Sequence, residues 1–408
     1  MTEDPDPFRC IRCHLTAGPR EFRCTCGGLL EVPLGPAARS VSRSLFDARR
    51  GAPLPDASGV WRFRELVHPT IGRIVSREEG NTPIYRHRDL DRFSGVRSLS
   101  AKHEGENPTG SFKDRGMTVA VSEAARLDAR EVCCASTGNT ASSLASYAAL
   151  AGLACRVFVP KGQVSGAKLA QTIAYGAHVA EVEGNFDACM AQAEAHAGSG
   201  RAYLVNSLNP WRIEGQKTII FELAQQRAWE MPDWIAFPAG NLGNASAFGK
   251  ALVEAKELDL IDRLPKLLLV QAAGAAPFYR MWKAGARELT PELHPNTEAT
   301  AIRIGNPVSW PKALAALSAC GGDVEAVTDR EIFEAKRTID RAGIGCEPAS
   351  AASLAGVRKH RAAGAIRPDE EVVCILTGHI LKDARPPAAE PSPHGSARAD
   401  GVGARETL

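Results

Sequence analysis

The sequence predicts an α/β protein built on parallel strands covered by helices, and three stretches carry that expectation. The apolar run Val132-Cys133-Cys134-Ala135 is followed by the polar loop Ser136-Thr137-Gly138-Asn139-Thr140, helix formers over 141–151, a stop at Gly152 and a second apolar strand over 155–159. Trp234-Ile235-Ala236-Phe237 runs into a Gly-containing loop and then a helical stretch over 245–258. Val372-Val373-Cys374-Ile375-Leu376 closes on Thr377-Gly378-His379. Strand, helix, strand crossovers imply parallel pairing. Ligands of such sheets sit at the carboxyl ends of the strands.

The chain opens with four cysteines in its first 35 residues, Cys10-x2-Cys13 and Cys24-x-Cys26-Gly-Gly. Two tight turns that converge four thiols suit a tetrahedral zinc ribbon, although the second pair is one residue short of the usual gap. A ribbon that folds without metal is the other reading. With all four thiolates engaged, no coordination position would be open, so any zinc is structural. A Pro-, Ala-, Arg- and Ser-rich linker follows over 34–55, with one short helix expected at 44–50. A turn at Gly80-Asn81-Thr82-Pro83 precedes a strand at Ile84-Tyr85, and a further strand is expected over 98–102.

The segment NPTGSFKDRG, 107–116, places Lys113 in the first turn of a helix that leaves a Gly-containing loop, with Ser111 as the expected N-cap. An amine held partly dry there has a depressed pKa and is a nucleophile toward an aldehyde. Taken alone, the stretch is equally compatible with a solvated lysine beside Asp114 and Arg115.

Beyond 159, helices are expected over 168–175, 187–196 and 214–229, with strands over 178–182 and 203–206. The strand at 234–237 feeds Gly240-Asn241-Leu242-Gly243-Asn244, whose backbone N–H groups and following helix start suit a single phosphate. A plain strand-to-helix turn is the alternative. The chain contains neither GxGxxG nor GxxxxGK[ST], which argues against dinucleotides and nucleoside triphosphates. A strand over 267–272, an irregular section over 277–311, helices over 312–319, 329–343 and 350–363, and a disordered tail over 386–408 complete the expectation.

Bulk properties exclude little beyond the extremes. At 408 residues the chain can hold two domains, and 44% hydrophobic with 24% charged residues is ordinary for a globular protein. A net charge of +2 gives no electrostatic case for nucleic acid or an anionic membrane. No apolar run is long enough for a membrane span and the first residues lack a signal pattern, so a cytoplasmic location is expected. Eleven cysteines are thin over this length and are read as buried reduced thiols outside the ribbon.

An amine at a helix start, two Gly loops and a hydroxyl at the last strand tip together suit pyridoxal phosphate. NPTGSFKDRG, STGNTASSLASYAALAG, GNLGN, AIRIGNPVSW, EPASAAS and VVCILTGHILKD resemble threonine synthases, which are fold-type-II pyridoxal-phosphate enzymes with a tryptophan synthase β-like fold. The resemblance spans about 80–383. It implies a Cys-rich ribbon over 1–35, a larger cofactor-binding α/β domain over 36–97 and 206–385, and a smaller α/β domain over 98–205.

By the same resemblance Lys113 carries the cofactor beside Phe112, and Asn139 donates to its phenolic oxygen. Gly240, Asn241, Leu242, Gly243 and Asn244 hold its phosphate, and Thr377 meets the ring nitrogen. A neutral hydroxyl there, unlike a carboxylate, does not favour protonating the ring. Ser136, Thr137 and Thr140 are expected at the substrate carboxylate, and Lys168, Asn206, Ser207 and Arg212 at the leaving phosphate; surface charges are the other reading of the latter group. The implied reaction takes O-phospho-homoserine and water to threonine and phosphate, in an expected homodimer.

Two positions depart from the family pattern. Ile380 stands where TGHGLKD has glycine, and Gly345-Cys346 replaces bulkier apolar residues. A cysteate-synthase-like enzyme acting on O-phosphoserine and a non-catalytic protein on the same scaffold are the alternatives carried forward. Threonine dehydratase fits less well, because its Gly- and Ser-rich run is replaced here by GNLGN.

Overall fold

The computed structural model describes residues 7–162 and 166–383, without the side chains of 166–168. The tail expected over 386–408 lies outside the described residues. At the start, β1 (Phe8–Cys10) pairs antiparallel with β2 (Thr16–Ala17) and β3 (Leu30–Glu31). The ribbon is fastened to the body by Lys250 Nζ on Val32 O at 2.5 Å, by Lys312 Nζ on Leu30 O at 2.6 Å, and by the Phe8 ring against Trp211 at 5.7 Å.

The chain then forms α1 (Arg43–Ala48), α2 (Arg64–Val67), β4 (Ile84–Arg86), α3 (Arg88–Ser94), β5 (Ser98–His103) and α4 (Lys113–Arg126). A second run gives β6 (Glu131–Ala135), α5 (Asn139–Ala151), β7 (Ala154–Pro160), α6 (Gly166–Ala174), β8 (His178–Val182), α7 (Phe186–Gly198) and β9 (Tyr203–Leu204). The remainder is α8 (Pro210–Gln226), β10 (Trp234–Pro238), α9 (Gly243–Glu257), β11 (Lys266–Ala272), α10 (Pro277–Lys283), α11 (Trp310–Cys320), β12 (Gly322–Val327), α12 (Asp329–Arg341), α13 (Pro348–Ala362) and β13 (Glu371–Leu376).

Two sheets result. A six-stranded sheet runs β12-β11-β10-β13-β5-β4, parallel except for the edge strand β4. A four-stranded parallel sheet runs β8-β7-β6-β9. The central strands β10 and β13 are buried almost throughout, as expected for parallel strands covered on both faces.

The structure corrects several expectations. Strand β5 was expected with the smaller unit, but it pairs with β13 from Ser98–Glu371 to His103–Leu376 and so belongs to the six-stranded sheet. Strand β12 was not among the expected elements; at this sheet edge its Asp323 and Glu325 accept from Trp282, Lys283 and His360. Helix α10, begun by Pro277 at its first position, interrupts the section expected to be irregular. Ser111 is not the cap of α4. Phe112 holds that place, while Ser111 bridges to Gly378 and its hydroxyl accepts from the Lys113 N–H at 3.4 Å.

Helices α4 and α8 cross on bare backbone. A Cβ on Gly215 would stand 1.9 Å from Arg115 O, and one on Gly116 would stand 2.9 Å from Arg212 O. Any side chain at either position would force the helices apart. One turn further along the same contact is a buried ion cluster. Arg115 reaches Glu104 at 2.7 and 2.8 Å and Glu222 at 2.9 and 3.1 Å, and Lys102 also donates to Glu222. Burial opposes the charge on Glu222, yet Arg115 and Lys102 hold its carboxyl well below the usual range. Its oxygens also take the N–H groups of Asn81 at 2.8 Å and Thr82 at 3.0 Å, which fixes the segment leading into β4.

Candidate active site

Lys113 is the first residue of α4, partly buried, with Nζ 4.1 Å from the centre of the Phe112 ring. Burial pulls its pKa well below the lysine range, the neighbouring Arg212 pulls it further, and Glu347 opposes them. A depressed pKa raises the share of the amine in its neutral, nucleophilic form. Its loop is stitched to the tip of β13: Phe112 N–H donates to Thr377 O at 3.0 Å and His379 N–H to Gly110 O at 2.9 Å. Beneath it, buried Asp114 accepts from the Thr109 N–H and hydroxyl, each at 2.6 Å, and from Ser143 at 2.5 Å. Burial raises that carboxyl to about 6.

The loop Gly240–Asn244 opens at the tip of β10, and Leu242 adopts φ 62°, which turns successive N–H groups inward at the start of α9. The stretch 301–308 folds over it. A Cβ on Gly240 would meet Ile302 Cα at 3.1 Å, and Asn241 Oδ1 accepts from Val308 N–H at 3.0 Å. Asn244 Oδ1 is buried with no partner. Gln216 on α8 lies between this loop and α4: its amide is 3.0 Å from the Cβ position of Gly116 and 3.5 Å from that of Gly243. One side chain thus separates the loop from the lysine helix.

Asn139 begins α5 and donates from Nδ2 to Glu347 Oε2 at 3.0 Å. Thr377 is buried and donates to Glu347 Oε1 at 3.4 Å, with Ser350 Oγ at 3.1 Å. Sequence reasoning gave Glu347 no role. The trace it left is an acidic residue directly before Pro348 in an otherwise small and apolar run.

The residues expected at the substrate divide. Ser136, Thr137 and Thr140 are partly buried at the start of α5, where Ser136 Oγ accepts from Gly138 N–H at 3.2 Å. Arg212 is 1% exposed with Nε and Nη1 unpartnered, and burial lowers its pKa to about 10. A buried guanidinium with two unpartnered N–H groups is chemically suited to an anion. Asn206 is different: both ends of its amide are taken by the Ala135 backbone at 3.0 Å, so it straps the end of β6. Ser207 is partly buried next to it. The Lys168 side chain lies outside the described residues. The two departures from the family pattern touch each other, since Gly345, at φ 69°, has Ile380 Cβ and Cγ2 at 3.3 Å from its Cβ position.

In the ribbon, Cys10 and Cys26 Sγ are 3.6 Å apart, Cys13 and Cys24 Sγ 3.4 Å, and all four lie within 4.8 Å of one another. Tetrahedral Zn–S bonds of about 2.3 Å place sulfurs about 3.8 Å apart, so the cluster fits a closed ion site. Burial opposes ionisation of Cys10, but the N–H groups of Cys13 and Arg12 bring its thiol down to about 6. Gly28 leaves room for the shortened second pair, because a Cβ there would stand 2.5 Å from Cys10 Sγ.

An amine with depressed pKa, an N–H-lined phosphate loop one side chain away and polar groups on three strand or helix tips define a pyridoxal-phosphate enzyme, and the residues present fit that cofactor. Residues 75–378 match the family described as pyridoxal-phosphate dependent enzyme. The chain is 47% identical over 381 residues to the threonine synthase of Methanocaldococcus jannaschii, covering 92% of each chain. It is 40% identical to threonine synthase 2, chloroplastic, of Arabidopsis thaliana, covering 88% of this chain and 73% of that protein. Among solved structures it resembles diaminopropionate ammonia lyase from Escherichia coli, at TM-score 0.66 and 16% identity over 89% of this chain and 93% of that one. Maize serine racemase matches at TM-score 0.63 and 22% identity, over 79% and 92%. The chain belongs to the pyridoxal-phosphate-dependent enzymes and, within them, to the threonine synthase family. Among the described residues, no helix is long and apolar enough to cross a membrane.

Proposed function

We propose that the protein converts O-phospho-L-homoserine and water to L-threonine and phosphate, as a cytoplasmic homodimer without nucleic-acid partners. The observation that carries the substrate reading is Arg212, a buried cation lacking partners on two of its nitrogens and close enough to Lys113 to depress its pKa. The family likeness supports the rest.

In this reading Lys113 holds the cofactor, Gly240, Asn241, Leu242, Gly243 and Asn244 hold its phosphate, and Asn139 and Thr377 face its ring. Pyridoxal phosphate supplies the electron sink that makes cleavage at the substrate α-carbon accessible. Once displaced by substrate, the Lys113 amine moves the protons at Cα and then Cβ. Phosphate leaves from Cγ toward Arg212, whose planar fork suits a departing dianion. Protons then return at Cγ and Cα, and the hydroxyl of water adds at Cβ. The N–H groups over 136–140 take the substrate carboxylate, aided by the start of α5.

We also infer that the two sheets are the cores of separate units. The ribbon would hold one structural zinc through Cys10, Cys13, Cys24 and Cys26. The deciding assay follows phosphate and threonine from O-phospho-homoserine, with O-phosphoserine plus sulfite as control. Turnover of the shorter substrate in preference to the longer would overturn the proposal.

A further inference from the structure

We propose that Trp211 is a positioning residue for Arg212, and that the Cys-rich ribbon acts on anion affinity at the active site by holding Trp211 in place. This rests on the reading above that Arg212 meets the leaving phosphate.

The guanidinium of Arg212 has no partner on Nε or Nη1, so those nitrogens do not anchor it. Its position is inherited from the backbone of the first turn of α8. That turn is capped at Asn209, whose Oδ1 accepts from Trp211 N–H at 3.0 Å and whose Nδ2 donates to Leu204 O at 2.9 Å. Residues three or four apart share a helix face. Arg212, Gly215 and Gln216 face α4, where Gly116 and Gly215 bring the two backbones together. Trp211 and Glu214 lie on an adjoining face, and the ribbon covers it.

The ribbon grips that face at two points. The Phe8 ring stands 5.7 Å from the Trp211 ring, and Lys250 donates both to Val32 O at 2.5 Å and to the Glu214 carboxyl. Trp211 is also stacked on His68, with ring centres 4.0 Å apart and planes 9° from parallel, and His68 Nε2 meets Glu123 Oε2 of α4 at 3.0 Å. The indole is thus pressed between the ribbon and His68. Its Nε1 is buried without a partner, so packing alone fixes it. Removing the buried Phe8 ring would leave a cavity into which the indole can tilt, carrying the first turn of α8 with it. On β1, Phe8 and Cys10 are buried and Arg9 between them is exposed. The strand that seats one thiol of the cysteine cluster therefore seats Phe8 on the same face.

The test uses the full chain loaded with pyridoxal phosphate, with inorganic phosphate as the probe. Phosphate affinity is measured by calorimetry well below the melting temperature, and cofactor loading by visible absorption. Phe8→Ala should weaken phosphate binding by about 2- to 30-fold, the range of couplings carried through packed side chains, with cofactor loading unchanged. In an Arg212→Met background the same Phe8 change should leave residual phosphate binding where it was. Trp211→Phe keeps a ring on His68 and should retain most of the affinity that Trp211→Ala loses. Where Phe8→Ala does not fold, Cys10→Ser decides: once proteolysis shows its ribbon released, phosphate binding should weaken in the same range. Unchanged phosphate affinity in folded Phe8→Ala, or in ribbon-released Cys10→Ser, overturns the inference, and so does equal weakening with and without the Arg212 guanidinium. Failure of the underlying reading looks different: Arg212→Met would then bind phosphate as tightly as wild type.

Discussion

Replacing Arg212 by Met should move stability and activity in opposite directions. The guanidinium is buried with two nitrogens unpartnered, a state that costs the free enzyme stability because nothing offsets its lost hydration. A side chain of similar length without charge removes that cost, so the melting temperature of the phosphate-free variant is expected to equal or exceed that of wild type. Catalysis should suffer. A hydrogen bond to a charged group contributes about 1.5–3 kcal/mol. At about 1.4 kcal/mol per tenfold, losing one such bond to the leaving phosphate lowers kcat/KM by about 10- to 150-fold. Inorganic phosphate should raise the melting temperature of wild type and leave the variant unmoved. The Lys113 pKa should also rise in the variant, since Arg212 contributes to its depression. A variant that melts lower, keeps its kcat/KM and still responds to phosphate would refute the assignment of Arg212 to an anion.

Other outcomes are expected from the same geometry. Lys113→Ala should lose both the visible absorption of bound cofactor and phosphate release. In the cofactor-free protein, the depressed Lys113 pKa means the unfolded chain binds more protons between the folded value and the ordinary lysine value. Stability relative to Lys113→Ala should therefore rise with pH across that window and be level on either side of it, as denaturant titrations can measure. Gly378→Ala places a methyl 2.4 Å from the Glu347 carboxyl, and cofactor uptake should weaken with little change in far-UV circular dichroism. Glu222→Ala removes the paired carboxylate of buried Lys102 and Arg62, leaves Arg115 with Glu104 alone, and should destabilise by about 3–5 kcal/mol in urea melts. Metal analysis should find one zinc per chain; removing it, or introducing Cys10→Ser, should open residues before about 35 to proteolysis.

Much of the catalytic layout was legible because it depends on local chemistry. Gly152 stops α5 at φ 73°, and both the Lys113 loop and the Gly240 loop sit where a strand tip meets a helix start. What escaped was set by distant contacts. Glu347 acquires its place from Asn139 and Thr377, 208 and 30 residues away in sequence, and no periodicity announces such a meeting. That Asn206 also straps the Ala135 backbone through both ends of its amide is set by a contact no local pattern announces. Strand β12 hid behind its alternating acids, whose partners lie on α10 and α13. Gln216 left no mark at all, being one polar residue in a long helix.

The crossing of α4 on α8 at Gly116 and Gly215 acts as a caliper. One jaw carries the amine that works at the α-carbon end of a substrate, and the other carries the guanidinium proposed for its phosphate end. With bare backbone clamped against backbone, rotamer changes cannot alter the opening. If the proposed roles of Lys113 and Arg212 hold, discrimination between phospho-amino acids that differ by a single methylene would depend on how closely these two helices touch.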